Sequence, residues 1–210
     1  MRKQMSGFAF VAALALCGGS AFAVDQQIVG KKLLITNPGS GPANNKVVYL
    51  SKDTTIQLPG PATEDPRCPA SGSGGAQLTV GSVATGESFT IGLPCMNWTV
   101  NTAGTLYKYK DVSGATCKIV IIKGNKLLKA VCKGTQVSYV LNADQVSVDV
   151  VVRTGSAPRR WCSAFNSGTA GCSVVKNGST GKYLAKNCTT APVLCGASPS
   201  GAFLDGAGLF

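Results

Sequence analysis

The chain has 210 residues, with 20 Lys and Arg against 9 Asp and Glu, nine cysteines and no histidine. The missing imidazole removes the usual base near neutral pH, the usual activator of a serine or cysteine nucleophile, and the commonest metal ligand. A charged content of 14% alongside 26 glycines points to short strands joined by many turns.

Residues 1–23 read as a secretory signal peptide. They carry a basic start at Arg2 and Lys3, an apolar run from Phe8 to Leu16, and the small-x-small triplet Ala21-Phe22-Ala23. Cleavage there removes Cys17 and leaves eight cysteines, an even number that suits four disulfides in an oxidising compartment. It also leaves 18 basic residues against 9 acidic ones, a net charge of +9. No later stretch approaches the ~20 apolar residues of a membrane-spanning helix, so the expected location is periplasmic, cell-surface or extracellular.

Strands are expected at 32–36 and 46–50, joined across Asn37-Pro38-Gly39-Ser40-Gly41-Pro42. Residues 53–75, rich in proline and Ser-Gly, form an excursion that carries Cys68. Further strands fall at 77–80 and 88–91, with Phe89, Ile91 and Leu93 on one face, and Cys95 closes the run. The segments 98–100 and 105–110 follow, the second with Tyr107 and Tyr109 on one face and Lys108 and Lys110 on the other.

The run from Cys117 to Cys132 is the clearest hairpin. Two apolar stretches flank Gly124-Asn125, and a two-residue turn there sets Lys123 opposite Lys126 and Cys117 opposite Cys132. That register puts Cys117, Ile119, Ile121, Leu128, Ala130 and Cys132 on one face. It puts Lys118, Val120, Ile122, Leu127, Lys129 and Val131 on the other. A Cys117–Cys132 disulfide would close a loop of about 16 residues, worth roughly 3 kcal/mol of unfolded-state entropy.

Val137, Tyr139 and Leu141 alternate next, and Val146, Val148, Val150 and Val152 give the cleanest period-two pattern, with all four expected to face the core. The last fifth holds Cys162, Cys172, Cys188 and Cys195 with too little apolar sequence for its own core. The expected fold is therefore all-β: an antiparallel β-sandwich-like domain built of hairpins over 24–158, with 159–210 a disulfide-tied, cysteine-rich extension packed on it.

Several motifs taken together resemble a group of exported bacterial proteins of unassigned function. They are Gly30-Lys31-Lys32-Leu33-Leu34-Ile35, Val48-Tyr49-Leu50-Ser51-Lys52-Asp53, Tyr107-Lys108-Tyr109-Lys110-Asp111, Cys117-Lys118 with Lys126-Leu127-Leu128-Lys129-Ala130-Val131-Cys132-Lys133, and Arg160-Trp161-Cys162-Ser163-Ala164-Phe165. The resemblance implies secretion, repeated β-hairpins and a paired hairpin cysteine, and it supplies no catalytic residues.

The chemistry is sparse. Ser173-x-x-Lys176 and Ser179-x-x-Lys182 match the Ser-x-x-Lys spelling of penicillin-recognising enzymes but lack its helical setting. The acids Asp25, Glu64, Asp65, Asp149 and Asp205 are scattered and are expected as solvated surface groups. No Cys-x-x-Cys pair occurs, so the cysteines read as structural, with no metal and no cofactor. Cys68 with Cys95 is a plausible second bond; the last four cysteines allow three connectivities.

The basic balance carries the functional reading: an exported, non-catalytic binding or structural surface protein. Its partner would be an anionic polysaccharide or another polyanion, held by Lys108, Lys110, Lys118 and Lys129 of the central sheet. The alternatives are a carbohydrate-active hydrolase, whose carboxylates the fold would bring together, and a disulfide-rich inhibitor or toxin-like protein with a protruding cysteine-framed loop.

Overall fold

Short apolar-polar alternations between glycine-rich turns leave this chain one economical way to bury its apolar residues, as strands with one face turned inward. The structure, a computed structural model, describes residues 24–195 apart from 61, 69–73, 83, 115 and 157–158. The signal peptide expected over 1–23, Cys17 and Asp205 lie outside the described residues.

Thirteen strands form: β1 (Val24–Gln27), β2 (Gly30–Thr36), β3 (Lys46–Ser51), β4 (Ala76–Gly81), β5 (Ser88–Leu93), β6 (Trp98–Val100), β7 (Leu106–Tyr109), β8 (Cys117–Lys123), β9 (Leu127–Lys133), β10 (Ser147–Thr154), β11 (Arg159–Asn166), β12 (Ser173–Asn177) and β13 (Lys182–Lys186). They make a five-stranded sheet in the order β1-β11-β10-β4-β5 and an eight-stranded sheet in the order β12-β13-β2-β3-β9-β8-β7-β6. Every pairing is antiparallel except β1 with β11. The fold is all-β, and no helix among the described residues is long and apolar enough to cross a membrane.

One apolar cluster joins the sheets. Leu33, Ile35, Val47, Tyr49, Val120, Ile122 and Leu128 come from the larger sheet, and Leu78, Val80, Ile91, Val148, Val150 and Phe165 from the smaller. A buried serine hydroxyl inside it bonds across the gap. The Ser163 hydroxyl donates to the Ile28 carbonyl at 2.9 Å, which leaves it to accept from the Tyr49 hydroxyl at 2.8 Å. Gly30, at the start of β2, lies so close to β11 that a Cβ there would fall 2.5 Å from the Phe165 ring. A side chain at that point would therefore hold the two sheets apart.

Two expectations are corrected, the hairpin register and the place of Val146. In the central hairpin Lys123 faces Leu127, not Lys126, so the turn spans three residues with Asn125 at φ 55°. A β-bulge between Cys117 and Ile119 absorbs the extra residue and restores Cys117 opposite Cys132. As a result Val120 and Ile122 join Cys117 as the buried residues of β8, while Ile119 and Ile121 turn outward. Val146 lies outside β10 and is 69% exposed, whereas Val148, Val150 and Val152 are buried as expected. Val137, Tyr139 and Leu141 are buried but form no strand: their segment crosses between the sheets, and the carbonyls of Val137 and Tyr139 accept from the side-chain amides of Asn45 and Asn37 instead of from a neighbouring strand.

Residues 159–195 contribute to both sheets. β11 sits between β1 and β10, and β13 extends the larger sheet beside β2. Four disulfides join Cys68 to Cys95, Cys117 to Cys132, Cys162 to Cys195 and Cys172 to Cys188. The last two select one of the three connectivities open to the C-terminal cysteines.

Candidate functional site: the outer face of the eight-stranded sheet

Apart from the edge strand β12, the strands of the larger sheet alternate inward apolar residues with outward ones, and the outward positions are repeatedly lysine. β13, β2, β9 and β8 carry two lysines each, and β3, β7 and β12 one each. None of the eight strands carries an aspartate or glutamate. The smaller sheet is the reverse case, with arginines and two aspartates but no lysine.

The register lines these residues up across the strands. One row reads Lys108, Ile121, Lys129, Leu50, Lys32, Lys186 from β7 to β13. The next outward row is aliphatic: Ile119, Val131, Val48, Leu34, Leu184, ending at Lys176 on β12. A third row reads Lys133, Lys46, Thr36, Lys182. Consecutive outward rows are two residues apart along each strand, so the lysine rows lie about 14 Å apart with the aliphatic row between them. Two pairs of like charges stand directly opposite each other, Lys46 with Lys133 and Lys32 with Lys186.

Of the four lysines singled out from the sequence, Lys108 and Lys129 flank Ile121 in the first row. Lys118 is the exposed bulge residue of β8, and Lys110 is exposed just past the end of β7. Sequence reasoning missed Lys32, Lys46, Lys182 and Lys186, because strands distant in the chain carry them to the same face; it also missed Lys133, which the alternation of β9 places on the same face as Lys129.

Among the described residues no acid pairs with the lysines of this face. All three ion pairs among the described residues use arginine: Arg67 with Asp65, Arg159 with Glu64 and Arg160 with Asp25. Most of the acids are therefore not the freely solvated groups expected. Glu64 is only 3% exposed and accepts from Gly60 N at 2.6 Å and Arg159 Nε at 2.8 Å. It sat in a proline-rich excursion that reads as open loop, while its partner lies 95 residues away. Partial burial would raise the Asp53 carboxyl, but N–H groups of Val29 and Thr55 and the Thr55 hydroxyl hold it below the usual range. Asp111 is held far below that range by the Ser113 hydroxyl and by the N–H and hydroxyl of Thr116. Asp149 goes the other way, pushed up to about 6 by burial.

The remaining motifs resolve into architecture. Ser173 and Lys176 lie on strand β12, and Ser179 precedes β13 in a turn, so neither Ser-x-x-Lys spelling opens a helix. The 68–95 disulfide encloses β4 and β5, the 117–132 disulfide the β8–β9 hairpin, and the 172–188 disulfide β12 and β13, so each frames strands of a sheet. No cluster of three or more Cys, Asp or Glu suited to a metal ion occurs among the described residues. No protein-family model matches the chain, and comparisons with curated proteins and with solved structures find no match.

Proposed function

We propose that the protein is an exported, non-catalytic binding or surface protein that engages an acidic polymer through the outer face of its eight-stranded sheet. The observation that carries this reading is the acid-free lysine face, on which like charges stand opposite each other. Such a field concentrates polyanions and speeds their association. Four disulfides, which persist in oxidising compartments, support the exported part of the reading.

The competing account is that lysines blunt sheet edges against aggregation. Lysines serving that purpose belong on edge strands. Here the edge strand β6 has none and the edge strand β12 has one, so the charge is concentrated on interior strands.

The test is the salt dependence of polyanion binding. Neutralised anionic groups release condensed counterions, so four engaged lysines on a polymer as dense as duplex DNA give a log–log slope of about −3.6, and a sparser polysaccharide gives less. The double variant K118S/K129S should flatten that slope while circular dichroism stays unchanged, since Lys118 is exposed and Lys129 faces away from the core. Affinity indifferent to salt, or a double variant that binds like the parent, refutes the reading.

A further inference from the structure

We infer that the ligand is a flexible, linear acidic polysaccharide that crosses the strands from β7 to β13, lying over the aliphatic row with its carboxylates reaching the lysines on either side. This rests on the proposal that the face binds an acidic polymer, and it adds the direction, the length and the chemical class.

The direction follows from the rows. Charge is ordered across the strands, where Lys108, Lys129, Lys32 and Lys186 succeed one another over six neighbouring strands. Along any one strand only two outward lysines occur, at most. Five inter-strand steps of about 4.8 Å make the track about 24 Å long.

The class follows from twist and from what the face lacks. Adjacent strands rotate by roughly 20–25°, so the track turns by on the order of 100° from end to end. A planar lipid leaflet meets such a surface on a few strands only. A nucleic-acid duplex, stiff over about 50 nm, does the same. Single-stranded nucleic acid is flexible enough, but its binding depends on aromatic platforms for the bases. None of the outward positions here is aromatic: Tyr49, Trp98, Tyr107, Tyr109 and Tyr183 are all buried on the inner side. A polyuronate meets each condition. It bends, carries one carboxylate per sugar, and presents C–H faces to Val131, Val48 and Leu34 between the charged rows.

The experiment measures binding of polyuronate oligomers of graded length to the full oxidised chain, for the parent and for K182S/K186S at the end of the track farthest from Lys108. Affinity should climb with length until the oligomer spans about 24 Å and then level off. K182S/K186S should weaken the long oligomers about tenfold, at roughly fivefold or less per lysine, and leave the short ones unchanged. K32S, in the middle of the row, is the second variant should the first fold poorly, and its loss should appear at a shorter length. If oligomers bind but neither variant alters the length dependence, the track is wrong and the broader polyanion reading stands. If duplex DNA or anionic phosphatidylglycerol vesicles bind and polyuronates do not, the polysaccharide class is overturned. If no polyanion binds at all, the broader reading falls with it.

Discussion

Asp149 lies on β10 opposite Gly81 of β4 and Ala164 of β11, and no basic side chain among the described residues pairs with it. Burial pushes its carboxyl up to about 6, from the ordinary value of 3.8 that it keeps in the unfolded chain. Between those values the folded protein holds a proton that the unfolded chain has already lost. Stability therefore falls as pH rises through that window, by at most about 3 kcal/mol. Asp149→Asn should abolish this slope in urea titrations run at pH 4 to 7 and should raise stability at pH 7; an unchanged slope would mean that the carboxyl is solvated. The sequence alone cannot display this, since Val148-Asp149-Val150 alternates as any half-exposed strand does. What surrounds Asp149 comes from distant parts of the chain: β4 and β11 flank it, and its charge is felt at Tyr139 and Tyr183.

At the scale of elements, the β8–β9 hairpin shows how much was legible and where legibility stopped. The strand pair, the turn at Gly124-Asn125 and the pairing of Cys117 with Cys132 follow from local pattern. The inward face of β8 does not, because one bulge and one extra turn residue compensate each other and leave the cysteines opposite in either register. The two registers differ in a measurable way. Ile122 is buried among core residues and Ile121 faces out, so Ile122→Ala should cost about 2–5 kcal/mol and Ile121→Ala clearly less. The reverse order in denaturant midpoints would restore the simple two-residue turn. β11 was hidden for another reason. Placed between β1 and β10 and buried on both sides, the run Arg159–Asn166 shows neither alternation nor a pure apolar stretch. Its arginines belong there because Arg159 and Arg160 find carboxylates at Glu64 and Asp25, far earlier in the chain.

Among the described residues the molecule separates its charges by residue type: arginines take all three ion pairs with acids, and the lysines of the larger sheet pair with none. Alternation along β9 shows that Lys129 and Lys133 share one face, but the strand order that aligns lysines of different strands is a property of topology, which no local pattern encodes. Like charges directly opposite across strands are destabilising, by some tenths of a kcal/mol to about 1 kcal/mol. An arrangement kept only for solubility has no need of that cost, since scattered lysines would serve as well. Lys133→Glu separates the possibilities, because Lys133 is exposed and faces Lys46 across β9 and β3. The substitution turns a repulsive pair into an attractive one. It should raise the melting temperature at low salt, with the gain shrinking as ionic strength rises and the Debye length falls below about 10 Å. The same change should weaken polyanion binding, because it places a negative charge within the third row. Stability and affinity are thus expected to move in opposite directions. A variant that is more stable and binds as tightly as the parent would show that this row takes no part in binding.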